Sequence, residues 1–176
     1  KSNINTFGLK NNLALAIKIA LDLGISKEII IKTIPKIKLQ ARAEYITQGK
    51  LIKKIHKNEK ILIDGCHSFV SGKNLANFLR GINVKKIGIW SMSKNKNPEE
   101  FIKNFKNIFD KLFIIPLIDG SNIATSELYY AAKKYNFKAK VVKNINSAIE
   151  ESSNKEKKII CVFGSLYLCG DFLKIN

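Results

Sequence analysis

The chain has 176 residues and a mass of 19.9 kDa, with 45% hydrophobic and 26% charged residues, ordinary globular usage that excludes wholesale disorder. Its formal net charge is +17, yet of 31 basic residues only Arg42 and Arg80 are arginine, leaving 29 lysines spread along nearly every segment. With no arginine cluster, zinc-finger spacing or aromatic RNP strand, this charge reads as a solvated surface rather than a nucleic-acid face.

In chain order, Asn11 to Leu23 carries an apolar stripe at helical spacing, closed by Gly24. Ser26 caps a second short helix running to about Thr33, and Pro35 ends it. Residues 36–40 form a basic linker, and Glu44 to Thr47 and Ile52 to Ile55 read as short strands around Gly49. From Ile61 the pattern alternates. Strands are expected at Ile61–Ile63, Lys86–Trp90, Leu112–Pro116, Ala139–Val142 and Ile159–Phe163. Helices are expected at Ser71–Leu79, Pro98–Phe109, Ser126–Tyr135, Ser147–Ser152 and Ser165–Leu173. Apolar strands joined by helices imply an α/β, Rossmann-like, mostly parallel sheet of about six strands, one of them antiparallel, with helices on both faces. Residues 1–35 read as a helical piece of a neighbouring unit, 36–42 as a linker or hinge, and 43–176 as the α/β domain.

Cys66, Cys161 and Cys169 make neither a CxxC pair nor an even disulfide set, which points to a reducing, cytoplasmic setting. Apolar runs such as Ile159 to Phe163 are far short of the ~18 residues of a membrane span. No secretory signal is visible at Lys1–Asn5, and the missing initiator Met is expected of a piece of a longer chain. Neither nucleic acid nor membrane is expected as a partner, and the chain is expected to be a monomer.

Ligands of open α/β sheets sit outside the carboxyl ends of the strands. There Asp64, His67 and Ser68 put a carboxylate, an imidazole and a hydroxyl on one loop leading into a helix. Gly164-Ser165 opens the last helix, where backbone N–H groups suit an anion as well as a cap. Arg42 follows the linker, at a hinge. Cys66 beside His67 is a poor thiol-nucleophile pair, because adjacent residues at such a turn point apart. His56, among lysines, reads as a surface residue, and two histidines with three dispersed cysteines give no metal spacing. Neither GxGxxG nor GxxxxGK[ST] occurs, so a triphosphate would have to be cradled by another domain.

Five segments in order carry a family resemblance: Asn12-Leu13-Ala14-Leu15-Ala16, Ala41-Arg42, Asp64-Gly65-Cys66-His67-Ser68, Lys96-Asn97, and Gly164-Ser165-Leu166-Tyr167-Leu168-Cys169-Gly170-Asp171. They are similar to the N-A-A-L-A, W-P-[GA]-R, D-G-A-H-N-P, K-D and G-S-L-Y-L-x-G-E motifs of the folylpolyglutamate synthase / dihydrofolate synthase family of Mur ligases. The chain departs from them at Leu39-Gln40, Ser68-Phe69 and Asn97, where the family has Trp-Pro, Asn-Pro and Asp.

The resemblance implies ATP-driven addition of L-glutamate to a pteroate or folate carboxylate through an acyl phosphate. It implies an upstream P-loop domain that also holds the Mg²⁺ ligands, with residues 1–35 as that domain's tail. Asn12, Arg42 and Asp64 would contact ATP, and His67, Ser68, Lys96 and Ser165 would line the glutamate. Arg42, Asp64 and His67 would then be the catalytic set. A lysine-rich, Rossmann-like binding module for an anionic partner such as RNA is the alternative.

Overall fold

The computed structural model describes residues 4–176, so the first three residues of the expected helical segment 1–35 lie outside the described part. Helix α1 (Phe7–Asp22) starts four residues before the expected Asn11, because Thr6 caps it by accepting the N–H of Leu9 at 3.3 Å. Ser26 caps α2 (Lys27–Thr33) as expected. Pro35 does not end the helical run. It sits in the first turn of a 3-10 segment, Ile34–Lys36, where its missing N–H costs no hydrogen bond. Neither α1 nor α2 contains a buried residue, although Leu15, Ile19, Leu23, Ile29 and Ile31 lie on them.

The chain then builds a six-stranded sheet from β1 (Glu44–Ile46), β2 (Glu59–Asp64), β3 (Lys85–Trp90), β4 (Lys111–Ile114), β5 (Ala139–Val141) and β6 (Lys158–Phe163). The spatial order is β1-β2-β6-β3-β4-β5, with β1 antiparallel to β2 and every other pair parallel. The mostly parallel α/β architecture expected from the sequence is the one observed. Strand residues feed two cores by alternation: Cys161 and Phe163 of β6 enter one, Ile160 and Val162 the other. Helices α3 (Phe69–Arg80), α4 (Pro98–Lys103) and α5 (Thr125–Lys134) cover the first face. Helices α6 (Ile145–Ser152) and α7 (Leu166–Ile175) cover the second. Phe101, Phe105 and Phe163 are fully buried in the first core, with Phe105 and Phe163 centroids 4.7 Å apart; each such ring contributes roughly 1.5–3 kcal/mol by burial.

Two expected elements differ. Ile52 to Ile55 is not a strand; Ile52–Lys54 forms a 3-10 turn, with Ile52 and Ile55 both packing on the second core and Lys53 and Lys54 exposed. That spacing is helical rather than period two. Helix α4 stops at Lys103, not Phe109. The Asn104 side chain takes the Phe101 carbonyl at 3.2 Å, and Asn107 turns the chain at φ +62°. Phe101, Phe105 and Phe109 still share one side, which is why the stretch reads as one long helix.

The topology sets the site. β2 leads into α3 on one face, while its neighbour β6 leads into α7 on the other. Asp64 lies opposite Phe163, and Phe163 opposite Trp90, so three strand ends align where the connections part. Such a parting leaves a crevice at the carboxyl edge of the sheet.

Candidate functional site at the carboxyl edge of the sheet

Arg42 is presented by an uncommon backbone. Ala41 (φ +51°) and Ala43 (φ +44°) flank it in the left-handed region, which costs an alanine about 1–2 kcal/mol per residue. Tethers offset that strain. The Ala41 N–H donates to Glu44 Oε2 at 2.8 Å, the Ala41 carbonyl accepts the Gly65 N–H at 2.8 Å, and the Ala43 N–H donates to Asp64 Oδ2 at 2.7 Å. Both alanines are buried. The loop carrying Arg42 is thus clipped to the loop that follows β2. Gly65 leaves room for the side chains above it: a Cβ there would fall 2.2 Å from Leu166 Cδ2 of α7 and 3.0 Å from Arg42 Nη1. The half-buried Arg42 steadies itself through Nη1, which donates to the Ala41 carbonyl at 3.2 Å.

Asp64 is buried at the end of β2, and its second oxygen, Oδ1, accepts the Cys66 N–H at 2.8 Å. Burial pushes its carboxyl above the ordinary value; the Ala43 and Cys66 hydrogen bonds and the Arg42 guanidinium pull the other way without cancelling it. The Cys66 thiol is pushed well up by burial and then by Asp64. A thiol so held is no nucleophile. The neighbouring His67 is half-buried, with Nδ1 3.0 Å from the Gly65 carbonyl. A carbonyl only accepts, so Nδ1 carries the proton and Nε2 is left for a ligand. Ser68 caps α3 in a reciprocal pair with Ser71: Ser71 N–H donates to Ser68 Oγ at 3.3 Å, and Ser71 Oγ donates to the Ser68 carbonyl at 3.1 Å. Ser71 Oγ also accepts the N–H groups of His67 and Ser68, at 3.2 and 3.0 Å.

These elements enclose a cleft of about 360 Å³ between α1, α3 and the Asp64–Ser68 loop. Asn12, Arg42, Asp64, His67 and Ser68 all line it, which brings together five of the seven residues singled out from sequence. Its size is at the lower end for ligand pockets, about 300–1,000 Å³. Lys96 and Ser165 do not line it. Lys96 is exposed in the loop after β3, and Ser165 is buried as the cap of α7, where its Oγ accepts the Tyr167 N–H at 3.1 Å. Ser93 joins their two loops, with Oγ 3.0 Å from Ser165 Oγ.

Sequence reasoning missed Thr6, Gly8, Ser71 and Asn74, which also line the cleft. The Ser-x-x-Ser spacing signals the Ser68–Ser71 cap; nothing local signals the others, since they meet only when α1 lies against α3. Among the described residues no group of three His, Cys, Asp or Glu side chains converges as a metal site. Nor is any described helix long and apolar enough to cross a membrane.

Residues 47–175 match the family model described as dihydrofolate synthetase, C-terminal domain. No curated protein matches the sequence. Solved structures do. The Mycobacterium tuberculosis folylpolyglutamate synthase complexed with ADP and AMPPCP superposes with a TM-score of 0.81 at 14% identity, over 97% of this chain and 40% of that one. E. coli FolC in complex with DHPP and ADP gives 0.75 at 16% identity, over 92% and 37%. Folylpolyglutamate synthase from Thermotoga maritima gives 0.74 at 20%, over 97% and 40%. The chain therefore spans about 40% of the length of these structural relatives.

Proposed function

The chain belongs to the dihydrofolate synthetase C-terminal domain family, and we propose that it serves an ATP-dependent ligase joining L-glutamate to the carboxylate of a dihydropteroate or folate. In that reaction the γ-phosphoryl group passes from ATP to the pteroate carboxylate, leaving ADP. The glutamate amine then attacks the acyl phosphate, an amide bond forms, and inorganic phosphate leaves.

The observation that carries the reading is the convergence of Asn12, Arg42, Asp64, His67 and Ser68 on one cleft between α1, α3 and the loop at the carboxyl end of β2. Arg42 would place a guanidinium against a phosphate, a forked geometry that suits phosphate oxygens. Asp64, fixed by two backbone donors, would use its remaining lone pairs on nucleotide hydroxyls. His67, with Nδ1 committed, would direct Nε2 at the incoming glutamate beside Ser68, while Lys96, exposed outside the cleft, would approach it from the loop after β3 and Ser165 would act only by capping α7.

No GxxxxGK[ST] motif occurs in the sequence, and the described residues offer no cluster for Mg²⁺. The triphosphate and its Mg²⁺ would be held by a P-loop domain preceding Lys1. Residues 1–35 would be the tail of that domain and 36–42 the hinge. The apolar groove between α1 and α2, with Leu13, Ile17, Ile29 and Ile34 on its walls, fits a segment made to pack on more protein. The reaction's setting would be the cytoplasm, with the ligase as a monomer.

The test is glutamate incorporation by the product of the whole reading frame, with ATP and either dihydropteroate or tetrahydrofolate. ATP-dependent incorporation is expected there and none from the 176-residue chain alone. No incorporation onto either acceptor by the whole product would refute the reading.

A further inference from the structure

Asn74 stands half-buried on α3 and lines the cleft across from Asn12 on α1. Its carboxamide makes no hydrogen bond within the described residues, whereas Asp64, Ser68 and Ser71 each hydrogen-bond to neighbouring groups and His67 is held through Nδ1. Its orientation is set by contact. The nearest atom to a Cβ built on Gly8 would be Asn74 Nδ2, at 2.6 Å, so the bare glycine leaves the amide room to sit against α1, where a larger residue 8 would push the carboxamide aside. The charged groups of the cleft, Arg42 and Asp64, gather with His67 at the start of α3. Asn74 lies six residues beyond Ser68, about 9 Å along the helix. The cleft thus has an ionic end and a neutral carboxamide end, with Leu9 and Val70 among its apolar walls.

We propose that Asn74 is a nucleotide-specificity residue that reads the edge of an adenine base through its paired amide donor and acceptor. The proposal rests on the ATP reading given above. An amide offers one N–H donor beside one oxygen acceptor, and adenine presents the complement, an exocyclic amine beside a ring nitrogen. A glutamate carboxylate belongs at the other end, beside Arg42 and His67. The direction matches a nucleotide whose phosphates run toward Arg42.

The experiment uses the product of the whole reading frame, with ATP and GTP as alternative substrates and the variants Asn74→Asp, Asn74→Leu and the exposed-neighbour control Lys73→Ala. A carboxylate accepts at both oxygens; it opposes the adenine ring nitrogen and suits the two N–H groups of guanine. Asn74→Asp is expected to lower kcat/KM for ATP at least tenfold and to raise the GTP-to-ATP ratio by a similar factor. Asn74→Leu is expected to raise KM for ATP about tenfold with no gain for GTP, a loss typical of one bidentate base contact. Lys73→Ala should change neither. An unchanged KM for ATP in both variants, or equal losses with ATP and GTP, would overturn the inference while leaving the ligase reading intact. Absence of nucleotide-dependent ligation in the wild type would overturn both.

Discussion

Asp64 Oδ2 accepts the backbone N–H of Ala43 at 2.7 Å, across 21 residues of sequence, and together with the Gly65 N–H to the Ala41 carbonyl this bond ties the Arg42 loop to the end of β2. Asp64 therefore holds the fold as well as facing the cleft. Asp64→Ala would orphan the N–H groups of Ala43 and Cys66, each at about 1–3 kcal/mol, so the variant should melt well below the wild type. Arg42→Ala removes a half-buried cation whose Nη1 donates to the Ala41 carbonyl, which still accepts the Gly65 N–H, and its melting temperature should stay closer to the wild type than that of Asp64→Ala. Its turnover in the whole ligase should fall about a hundredfold, the usual loss for one preorganised charge contact in a transition state. Glutamate ligation at saturating ATP, measured beside thermal melting and a Lys50→Ala control, separates the two effects. Full turnover by Arg42→Ala would remove Arg42 from the site.

Acid stability should depend on a pair at the opposite edge of the sheet. Glu59 and Lys158 are both buried, with Lys158 Nζ 3.3 Å from Glu59 Oε1. Burial alone would raise the Glu59 carboxyl, but hydrogen bonds from Ser153, Asn154, His56 and Lys158 outweigh it and hold the group below its ordinary 4.5. A lowered carboxyl contributes stability that is complete above 4.5 and lost as pH falls through the folded-state value. Glu59→Gln should thus cost about 3–5 kcal/mol at pH 7, by leaving Lys158 charged and buried. The gap from the wild type should narrow below pH 4.5. Urea unfolding at pH 7 and pH 3.5 tests this; an equal gap at both would show that ionisation of Glu59 contributes nothing.

All three cysteines are buried free thiols, and burial pushes Cys169 up to about 12, with Cys66 and Cys161 raised well above their ordinary value. A thiol-specific disulfide reagent at pH 8 should label none of them in the folded chain and all three in denaturant. Fast labelling of Cys66 in the native state would contradict its packing beside Asp64.

The sheet was legible because buried parallel strands leave continuous apolar runs, such as Ile61–Ile63 and Ile159–Phe163, between capping and turn residues. The 3-10 turn at Ile52–Lys54 was not, since two isoleucines three apart amid lysines do not fix a period over so short a stretch. Within the cleft, Asp64, His67 and Ser68 were visible as neighbours on one loop at a strand end, and Arg42 by its rarity in a lysine-rich chain. Gly8 and Asn74 lie 66 positions apart, and only the packing of α1 on α3 makes them a pair. The two left-handed alanines around Arg42 were equally hidden, because alanine carries no local preference for that conformation and tertiary hydrogen bonds impose it.

The lysine surface should bind nucleic acid only weakly and without sequence preference. Its cations are dispersed, and several are already matched at exposed carboxylates on separate elements: Lys54 with Glu150, Lys85 with Glu156, Lys134 with Glu99 and Lys140 with Glu151. Neither arginine stands on such a surface with a second beside it: Arg42 faces the cleft, and Arg80 donates to the Asn104 carbonyl at 2.7 Å and to Asn77 Oδ1 at 3.0 Å. A net charge of +17 still attracts any polyanion through counterion release, so binding at low salt is expected and should fall steeply as salt rises. Fluorescence anisotropy with a generic single-stranded RNA and a DNA duplex, from about 50 to 200 mM salt, reads both the affinity and the slope. Dissociation constants of about 10⁻⁴–10⁻⁶ M near physiological salt, the same for unrelated sequences, are expected of non-specific attraction. Sub-micromolar binding that persists at the upper salt and discriminates between sequences would instead make the lysine face a recognition surface, and would favour a binding module over the ligase.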